Sequence, residues 1–317
     1  MTPTIFIDGE AGTTGLQIRE RLAGRRDVTL LSLDNSRRKD PAARAEMLNR
    51  ADISILCLPD EASRQAVAMV DNPDARLIDA SIAYRTDSDW VYGMAEYGPD
   101  QAQRIAAAKR VTNPGCYACS AVAMVRPLVM AGIVPADFPV TLNAVSGYSG
   151  GGRKLIETFE DVASPKYTKS TFYLYALGLE HKHTEEIRVH GGLDRRPLFV
   201  PSVGRFAQGM IVSLPLQLWA LPGAPGAADV HGALADHYAP ASMVTLAALA
   251  ETAAMDTLDP EALNGSDEMR LHVFANQDHG QVVVAALLDN LGKGASGQAV
   301  QNMNLMCGFE QTTGLKR

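Results

Sequence analysis

The sequence TIFIDGEAGTTG, Thr4–Gly15, carries the strongest indication of the architecture. Its first residues are mostly β-branched, aromatic or apolar, which is typical of a short buried strand. Three glycines follow at three-residue spacing, at Gly9, Gly12 and Gly15, and Thr14–Ala23 mixes leucines with charged residues in helical order. A strand, a glycine turn and a helix in this order predict the first unit of a parallel sheet with helices between its strands.

Apolar runs and helix signals continue to alternate after this first unit. Strands are predicted at Val28–Leu33, Ile53–Leu58 and Arg76–Asp79. One intervening helix is predicted to begin at Asp40-Pro41, where a capping carboxylate precedes a proline in the first turn. Asp60 is predicted to cap the next helix, which runs to about Val70. This alternation predicts a doubly wound parallel sheet.

Beyond residue 112 fewer helices separate the apolar segments. Strands are predicted at Val140–Val145, Pro197–Val203, Met210–Leu218, Met243–Ala247, Met269–Phe274 and Gln281–Leu287. Successive strands without intervening helices need not be parallel, so a mixed sheet is expected here. Val300 and Met303 have helical spacing within Ala295–Phe309, and we predict that this last helix packs on the first domain.

The predicted fold class is α/β, a Rossmann-like doubly wound parallel sheet followed by a second α+β domain with a mixed sheet. Residues 1–112 are assigned to a dinucleotide-binding domain that a C-terminal helix within 295–317 completes. Residues 113–294 are assigned to a catalytic and substrate-binding domain. The length of 317 residues agrees with two domains, because a single core seldom extends beyond about 250–300 residues.

The composition argues against several classes of function. A net charge of −7 is opposite to that of a nucleic-acid-binding surface, which needs clustered lysine and arginine. No uninterrupted apolar run approaches the length of about 18 residues that spans a membrane, and no secretory signal precedes the first strand. The four cysteines lack the spacing of a disulfide framework. We therefore expect a cytoplasmic protein that binds a small molecule.

The glycine motif has the form G-x-x-G-x-x-G, at Gly9, Gly12 and Gly15. Glycines permit positive φ angles and let the backbone approach a pyrophosphate, which binds at the helix N-terminus. Together with Thr13 and Thr14, these glycines predict the phosphate-binding part of a dinucleotide site. The alternative is an ordinary glycine-rich turn.

The end of the second strand distinguishes the two nicotinamide cofactors, because a carboxylate there binds the free ribose hydroxyls. Asp34 fits that role, but NSRRKD follows it, with Ser36, Arg37 and Arg38 in succession. A hydroxyl and consecutive cations suit a dianionic 2′-phosphate. The segment therefore predicts NADP. A solvated basic turn is one alternative, and Asp34 leaves NAD as another.

The sequence VTNPGCYACSA, Val111–Ala121, places a cysteine after an Asn-Pro-Gly turn at the start of a predicted helix. A thiolate is the reactive form of cysteine, and a helix N-terminus lowers the pKa of a thiol. Cys116 is therefore predicted to be a nucleophile, and Cys119 to pack inside. The alternatives are a redox pair, half of a zinc site without a second C-x-x-C, and an unreactive thiol. Cys57 and Cys307 are predicted to lie in the core.

A cysteine nucleophile needs an acid/base partner, and GLEHKHTEEIRVH, Gly178–His190, offers His181 and His183. In an extended segment, residues two apart point to the same side. One imidazole would then face the thiol, and the other would orient the substrate or its neighbour. A polar surface loop and a zinc site that includes Glu186 are the alternatives. We expect no metal.

Further segments predict contacts to ligands. SGYSGGGR, Ser146–Arg153, offers hydroxyls and backbone N–H groups to an oxyanion, and Arg205 can clamp a phosphate or carboxylate. Arg85 follows the fourth strand at the sheet edge where such folds bind ligands. Gln298 and Asn302, four residues apart, are predicted to reach the nicotinamide amide. A solvated surface position or a flexible loop is the alternative for each. The residues predicted to bind substrate are Arg85, Asn113, Ser146, Ser149, Gly150, Glu186 and Arg205.

Six segments together resemble N-acetyl-γ-glutamyl-phosphate reductases, most closely the shorter type of this family. They are GEAGTTG, NSRRKD, NPGCYACSA, SGYSGGGR, HKHTEE and GKGASGQAVQNMN. They follow the family's order and extend from Ile5 to about Phe309. The chain is more distantly similar to aspartate-semialdehyde dehydrogenase and glyceraldehyde-3-phosphate dehydrogenase.

The resemblance implies NADPH-dependent reduction of N-acetyl-glutamyl 5-phosphate to N-acetyl-glutamate 5-semialdehyde, with release of phosphate, in arginine biosynthesis. Cys116 matches the family's nucleophile, and His181 and His183 match its paired histidines, one of which is the acid/base. Glu186 matches the acidic residue that follows, although Glu185 stands where the family commonly has proline. The resemblance also implies a homo-oligomer, either a dimer or a tetramer.

The predicted residues suit this chemistry. A thiolate attacks an acyl phosphate and expels phosphate, and hydride then converts the thioester into a hemithioacetal that releases the aldehyde. A protonated histidine is expected to stabilise the oxyanion. Two other functions stay open, a related acyl-phosphate reductase such as aspartate-semialdehyde dehydrogenase and a non-catalytic protein that senses NADP.

Overall fold

The computed structural model describes residues 2–240 and 243–317, and within it the chain forms two compact units. The first unit contains the chain up to Ala95, Pro99–Gly115 and Ala295–Lys316. The second contains Glu96–Gly98 and Cys116–Gly294. The assignment of functional domains to residues 1–112 with 295–317 and to 113–294 stays a prediction. Residues 1, 241 and 242 of those ranges lie outside the described part.

Strands and helices alternate through the first unit. Its elements before Cys116 are β1 (Thr4–Asp8), α1 (Thr13–Leu22), β2 (Thr29–Leu31), α2 (Pro41–Arg50), β3 (Ile53–Leu56), α3 (Asp60–Ala68), β4 (Arg76–Asp79), β5 (Val91–Tyr92), α4 (Gln101–Ala107) and β6 (Arg110–Thr112). All strand pairs are parallel, and the order is β2-β1-β3-β4-β6-β5. The order extends in both directions from β1, so the predicted doubly wound sheet is confirmed.

The two predicted helix caps differ in outcome. Asp40 caps α2 as predicted, because its carboxylate accepts the N–H of Ala42 at 2.9 Å. Asp60 does not cap α3, since the N-cap residue is Pro59 and Asp60 is the first residue of the helix. Its carboxylate accepts the N–H of Ile82 at 2.9 Å instead. Asp60 therefore ties the start of α3 to the loop that follows β4.

The second unit is built on a mixed sheet, as predicted. Its elements are α5 (Cys116–Met130), β7 (Thr141–Gly147), α6 (Gly152–Glu160), β8 (Phe172–Leu174), α7 (Thr184–Gly191), β9 (Leu198–Gly204), β10 (Met210–Gln217), α8 (Ala227–Tyr238), β11 (Val244–Leu246), α9 (Leu249–Thr252), β12 (Met269–Asn276) and β13 (Gln281–Leu288). The strand order is β11-β12-β13-β10-β7-β9-β8. The pairs β11–β12 and β7–β9 are parallel, and the other pairs are antiparallel.

Helix α5 is buried around its whole circumference over most of its length. Every residue from Tyr117 to Val125 is buried, as are Pro127 and Leu128. A helix without a polar face belongs inside a core, and its packing fixes the position of its first residue, Cys116. Neither α5 nor any other helix in the described part of the chain is long and apolar enough to cross a membrane.

The chain returns to the first unit through one π turn, Gly292–Ser296, which leads into α10 (Gly297–Met306). Val300 and Met303 are fully buried in the same core cluster as Ile5 of β1. The last helix therefore packs on the first unit, as its apolar spacing predicts.

Candidate active site

The glycine motif forms a turn in which two of the three glycines are sterically required. Gly9 has a φ of +89°, and a Cβ there would lie 2.3 Å from the carbonyl oxygen of Cys57. A Cβ at Gly15 would lie 2.5 Å from the carbonyl oxygen of Gly9, so this glycine lets α1 approach the turn at Gly9 and Glu10. Gly12 is the N-cap of α1, and no side chain caps the helix there. The N–H groups of the first helical turn therefore have the arrangement that binds a pyrophosphate.

A cleft of about 360 Å³ opens at this turn, in the first unit. Gly9 and Gly12 line it together with Arg38 and Lys39 of the basic segment. This placement favours the phosphate site over a solvated basic turn for Arg38 and Lys39. Other residues predicted to contact the cofactor are not among its lining residues, and their roles stay predictions: Thr13, Thr14, Gly15, Ser36 and Arg37.

An ion pair that the sequence did not indicate also lines this cleft. Asp8 at the end of β1 and Arg44 of α2 meet at 2.7 Å between Oδ2 and Nη2, with Nε of Arg44 at 3.1 Å and 3.2 Å from the two carboxylate oxygens. Their side chains are 5% and 12% exposed. A buried carboxylate beside the glycine turn would repel a pyrophosphate, so Arg44 removes an obstacle to anion binding.

Gln298 and Asn302 are wholly buried in α10, so the solvated-surface alternative is wrong for both. Asn302 Nδ2 donates to the carbonyl oxygen of Gly93 at 2.8 Å and to Asn113 Oδ1 at 3.1 Å. Gln298 Nε2 donates to Gln301 Oε1 at 3.2 Å. Gln298 Oε1 and Asn302 Oδ1 have no hydrogen-bond partner within residues 2–240 and 243–317. Two such acceptors fit a ligand that brings amide N–H groups, as the nicotinamide carboxamide does.

Arg85 and Asn113 hydrogen-bond to each other within the first unit. Arg85 Nε donates to the carbonyl oxygen of Asn113 at 3.2 Å, and its Nη2 donates to that of Ala80 at 3.0 Å. Asn113 Nδ2 donates to the carbonyl oxygen of Ala295 at 3.0 Å, and its Oδ1 accepts from Asn302. The protein itself uses these polar groups, and their contact with substrate stays a prediction.

The four cysteines differ in environment. Cys116 is the first residue of α5, as predicted, and is half-buried. The partial positive charge of a helix N-terminus favours its thiolate. Cys119 is 1% exposed, and burial raises the pKa of its thiol to about 12, so it packs as predicted and stays protonated. Cys57 and Cys307 are half-buried and pack against the first unit's core, and burial raises the pKa of their thiols to about 12 and about 11.

The histidine segment forms a turn, so the extended conformation predicted for it is wrong. The N–H and the hydroxyl of Thr184 donate to the carbonyl oxygen of His181 at 3.0 Å and 2.6 Å, and α7 begins at Thr184. His183 already has helical φ and ψ angles of −92° and −7°. The turn nevertheless brings the two imidazoles together, with 4.8 Å between ring centroids.

One hydrogen bond fixes the tautomer of His181. Its Nδ1 accepts the backbone N–H of His183 at 3.1 Å, so the neutral ring carries its proton on Nε2. Burial lowers the pKa of His181 to about 4, and the charge of Lys182 acts in the same direction. At neutral pH His181 is therefore an uncharged donor at Nε2. This lowered pKa argues against His181 as the protonated histidine expected from the sequence.

Two tyrosines that the sequence did not indicate lie with these residues. The hydroxyl oxygen of Tyr175 is 3.4 Å from Nε2 of His181. Burial raises the pKa of Tyr175 to about 12, and the Cys116 thiol contributes to this increase. Tyr117 packs edge-on against His181 and His183, with ring centroids 5.8 Å and 6.0 Å apart. The second unit thus groups the predicted nucleophile with both histidines and two hydroxyls.

A strained loop holds Tyr175 in this position. Ala176 and Leu179 have φ angles of +52° and +58°, which residues with a Cβ seldom adopt. The N–H of Tyr175 donates to the carbonyl oxygen of Pro201 at 3.2 Å, and the N–H of Leu179 closes the turn on Ala176 at 2.9 Å. Strain of this kind persists where the surrounding structure over-determines the backbone, and it is common at functional sites.

The glycine segment after β7 folds as a 3₁₀ turn, Tyr148–Gly151, rather than as an unstructured loop. The Ser146 hydroxyl donates to the carbonyl oxygen of Gly147 at 3.0 Å, and the Ser149 hydroxyl accepts from Asn290 at 2.9 Å. Gly150 is exposed. Oxyanion binding by Ser146, Ser149 and Gly150 stays a prediction. Three amides of the segment already donate to backbone carbonyls and do not serve an oxyanion, those of Gly147, Tyr148 and Ser149.

The guanidinium of Arg205 is used within the protein. Its nitrogens donate to the carbonyl oxygens of Ser170 at 3.1 Å, Phe159 at 3.3 Å and Thr168. Glu186 lies on α7 and is 1% exposed. The clamp predicted at Arg205 and the substrate contact predicted for Glu186 stay predictions.

Two family models match the chain, "Semialdehyde dehydrogenase, NAD binding domain" over residues 5–105 and "Semialdehyde dehydrogenase, dimerisation domain" over residues 116–290. N-acetyl-gamma-glutamyl-phosphate reductase of Brucella ovis is 55% identical over 309 residues, which cover 97% of this chain and 100% of the relative. The chain belongs to the N-acetyl-gamma-glutamyl-phosphate reductase family. The reductase of that name from Brucella melitensis is also 55% identical over the same share of both chains.

Solved structures of aspartate semialdehyde dehydrogenases share the fold of this reductase-family chain. The Vibrio cholerae enzyme II, complexed with ASA, matches with a TM-score of 0.70 at 14% identity, over 97% of this chain and 99% of that one. The Candida albicans enzyme with NADP matches with a TM-score of 0.65 at 12% identity, over the same shares. The reductase-family chain is thus an oxidoreductase of the semialdehyde dehydrogenase type, and its first unit carries the nicotinamide-dinucleotide-binding fold.

The tautomer of His181 is directly measurable. In spectra of ¹⁵N-histidine-labelled protein, we expect the shift of an unprotonated Nδ1 at neutral pH and a titration midpoint near about 4. The folded-state pKa lies below the ordinary value of 6.5, so stability from this group is complete above pH 6.5 and is lost as pH falls towards 4. His181→Gln assigns the resonances and should weaken this acid dependence of unfolding. A midpoint above about 6, or a proton on Nδ1, would contradict the assignment.

Proposed function

We propose that the protein reduces N-acetyl-L-glutamyl 5-phosphate with NADPH to N-acetyl-L-glutamate 5-semialdehyde and phosphate, as a step of arginine biosynthesis. The observation that carries the proposal is the placement of Cys116 at the N-terminus of α5, beside a tyrosine that packs on both imidazoles. This arrangement occurs in a chain that is 55% identical to the N-acetyl-gamma-glutamyl-phosphate reductase of Brucella ovis.

The first step is acyl transfer to the sulfur of Cys116. Its thiolate attacks the acyl carbon of the substrate, a carbon–sulfur bond forms, and the carbon–oxygen bond to phosphate breaks. Phosphate leaves with the electron pair of that bond. The helix N-terminus supports the thiolate, whereas the thiol of Cys119 is kept protonated by burial and takes no part.

The second step reduces the thioester. When bound, the reduced nicotinamide supplies the hydride that adds to the thioester carbon. The carbon–sulfur bond of the resulting hemithioacetal then breaks, the aldehyde leaves and the Cys116 thiolate is restored. Neither addition requires a proton on the former carbonyl oxygen, because each oxyanion collapses by expelling a leaving group.

Uncharged hydrogen-bond donors suffice for these oxyanions. The pKa of Tyr175 is raised to about 12, so its hydroxyl keeps its proton at neutral pH. His181 Nε2–H points to the oxygen of Tyr175, which leaves the hydroxyl proton of Tyr175 for the oxyanion. We therefore propose Tyr175 as the direct donor and His181 as the residue that polarises it, while His183 fixes the ring of His181 through its backbone N–H.

The first unit would hold NADP along the glycine turn and α10. The pyrophosphate would lie on the N–H groups at the start of α1, and Arg38 and Lys39 would bind the 2′-phosphate in the same cleft. Gln298 Oε1, which is buried without a donor in the described residues, would accept from the carboxamide. The division into residues 1–112 with 295–317 for the cofactor and 113–294 for the substrate follows from this placement.

The protein is further proposed to be a cytoplasmic homo-oligomer that binds neither nucleic acid nor membrane. The edge strand β8 exposes Phe172 and Leu174, and neighbouring β9 exposes Leu198. Apolar side chains on an edge strand favour contact with a second copy of the chain. A thiolate nucleophile among four free cysteines suits a reducing compartment, and the net charge of −7 disfavours polyanions.

The proposed reaction is tested in reverse, with N-acetyl-glutamate semialdehyde, phosphate and NADP. Cys116→Ser should lose at least about a thousandfold in kcat, because the nucleophile is gone, whereas Cys119→Ser should stay within about threefold. Retained activity in the Cys116 variant excludes the thioester. Turnover of aspartate semialdehyde in preference would support the related dehydrogenase, and a protein that binds NADP without turnover would be a sensor.

The cofactor preference is tested by comparing two adjacent arginines. Arg38→Ala should weaken NADP binding by about tenfold or more and leave NAD binding nearly unchanged, because it removes one cation from a dianionic phosphate. Arg37→Ala, at the neighbouring position that does not line the cleft, tests whether the predicted phosphate contact of Arg37 adds to that of Arg38. Fluorescence titration of the protein with each cofactor gives the dissociation constants. Equal losses for NADP and NAD would count against the phosphate site.

The role of Tyr175 as oxyanion donor is tested by removing its hydroxyl group. Tyr175→Phe should lower kcat by about a hundredfold, because one donor to the oxyanion is lost, with little change in KM for the semialdehyde. Tyr173→Phe, two residues earlier on β8, is the matched control and should stay within about twofold. A Tyr175 variant with wild-type kcat would remove the hydroxyl from the mechanism.

A further inference from the structure

A buried ion pair lies in the second unit, apart from the residues that act in the proposed reaction. Nζ of Lys293 is 2.9 Å from both carboxylate oxygens of Glu96, and the two side chains are 1% and 3% exposed. Burying two charges costs several kcal/mol in desolvation, and apolar side chains of similar volume often replace such a pair without loss. The Lys293–Glu96 pair is therefore of interest for its position in the structure rather than for the free energy of folding that it contributes.

Glu96 comes from a short insertion into the second unit. The flanking chain up to Ala95 and from Pro99 belongs to the first unit, whereas Glu96–Gly98 packs with the second. The carbonyl oxygen of Glu96 is 3.0 Å from Nε2 of His237 on α8. The carboxylate that holds Lys293 therefore has a fixed position on the second unit.

The neighbouring residue of the insertion is anchored to α5. The carbonyl oxygen of Tyr97 accepts from Nε of Arg126 at 3.0 Å. The guanidinium of Arg126 lies 3.7 Å from the centre of the Tyr97 ring. Because Arg126 belongs to the same helix as Cys116, Glu96 is fixed relative to the nucleophile's helix.

The backbone next to Lys293 contacts the nucleophile. A Cβ placed on Gly294 would lie 2.9 Å from Cβ of Cys116, closer than real Cβ atoms approach one another. The N–H of Gly294 donates to the carbonyl oxygen of Asp289 at 3.1 Å, and the residues around it form the π turn Gly292–Ser296. Single π turns are frequent at functional sites.

The charge of Lys293 also reaches the first turn of α5. Burial raises the pKa of Cys119, and against this the charge of Lys293 lowers it while that of Glu186 raises it. Cys119 lies three residues after Cys116, so the ion pair adjoins the helical turn that presents the nucleophile.

We propose that Lys293, held by Glu96, is a positioning residue for Cys116. The ion pair fixes the backbone at Gly294 against Cβ of Cys116, and this contact sets the direction in which the sulfur projects. The inference rests on the proposed role of Cys116 as nucleophile, but its test measures the sulfur and not turnover.

The test is the rate at which iodoacetamide alkylates Cys116 in the cofactor-free protein, followed by mass spectrometry of the Cys116 peptide from about pH 6 to about pH 10. Lys293→Met should lower the plateau rate by about tenfold, because the backbone at Gly294 loses its anchor. Glu96→Gln keeps an acceptor for Nζ and should stay within about threefold. Gly294→Ala, with the ion pair intact, should lower the rate as Lys293→Met does, because its methyl group displaces the side chain of Cys116.

Arg25→Met is the control, since it removes a largely buried cation from Asp27 in the first unit. It should lower the unfolding midpoint without changing the alkylation rate. Folded Lys293→Met or Gly294→Ala protein that alkylates at the wild-type rate over the whole pH range would overturn the proposal. In turnover, the positioning role predicts a lower kcat at unchanged KM for Lys293→Met. If Cys116→Ser retains activity, the proposed reaction fails, while the alkylation result still decides whether Lys293 positions the sulfur.

Discussion

The burial of α5 on every side is the constraint on which the chemistry of this protein depends. Val122, Met124, Val125 and Leu128 are each at most 1% exposed, and each such side chain contributes about 2 kcal/mol when it leaves water. The helix therefore cannot rotate or slide without losing a large part of the core. Because Cys116 is the first residue of this helix, its backbone has a fixed position from which the sulfur projects. A nucleophile on a mobile loop would lack this orientation, and orientation accounts for a large share of the rate of covalent catalysis.

The proposed oxyanion donors near Cys116 are uncharged groups in surroundings of low polarity. Burial moves the pKa of His181 down to about 4 and that of Tyr175 up to about 12, so both stay uncharged across the physiological range. The backbone N–H of His183 then selects the tautomer of His181, which orients the donors in one direction. Neutral donors avoid the desolvation cost of a buried cation, yet still lower the energy of an oxyanion in a dry site. In the proposed mechanism, two histidines in one turn thus serve a reaction that needs no protonated imidazole.

Much of the fold follows from local sequence, because its decisive features are local. The strand before Gly9, the cap at Asp40 and the apolar spacing of Val300 each depend on a few neighbouring residues, and the structure bears them out. Cys116 could be placed for the same reason, since a turn and a helix start are encoded within ten residues. Features that depend on long-range contacts gave no such indication, and Arg44, Tyr175 and Glu96 acquire partners only through the fold. The histidine segment shows the limit of sequence periodicity. Histidines two residues apart occur both in strands and in the turn before a helix, and the hydrogen bond from Thr184 to His181 forms the turn.

Helix α10 has a consequence for the order of folding during synthesis. Val300 and Met303 fill the core of the first unit, although they lie close to the end of the chain. While a ribosome makes the protein, the nascent first sheet lacks these side chains until the second unit has been translated. The second unit, by contrast, is contiguous except for its tripeptide insertion and can gather its sheet earlier. The first unit is thus the last to become compact, and its core is completed only after the second unit has been made.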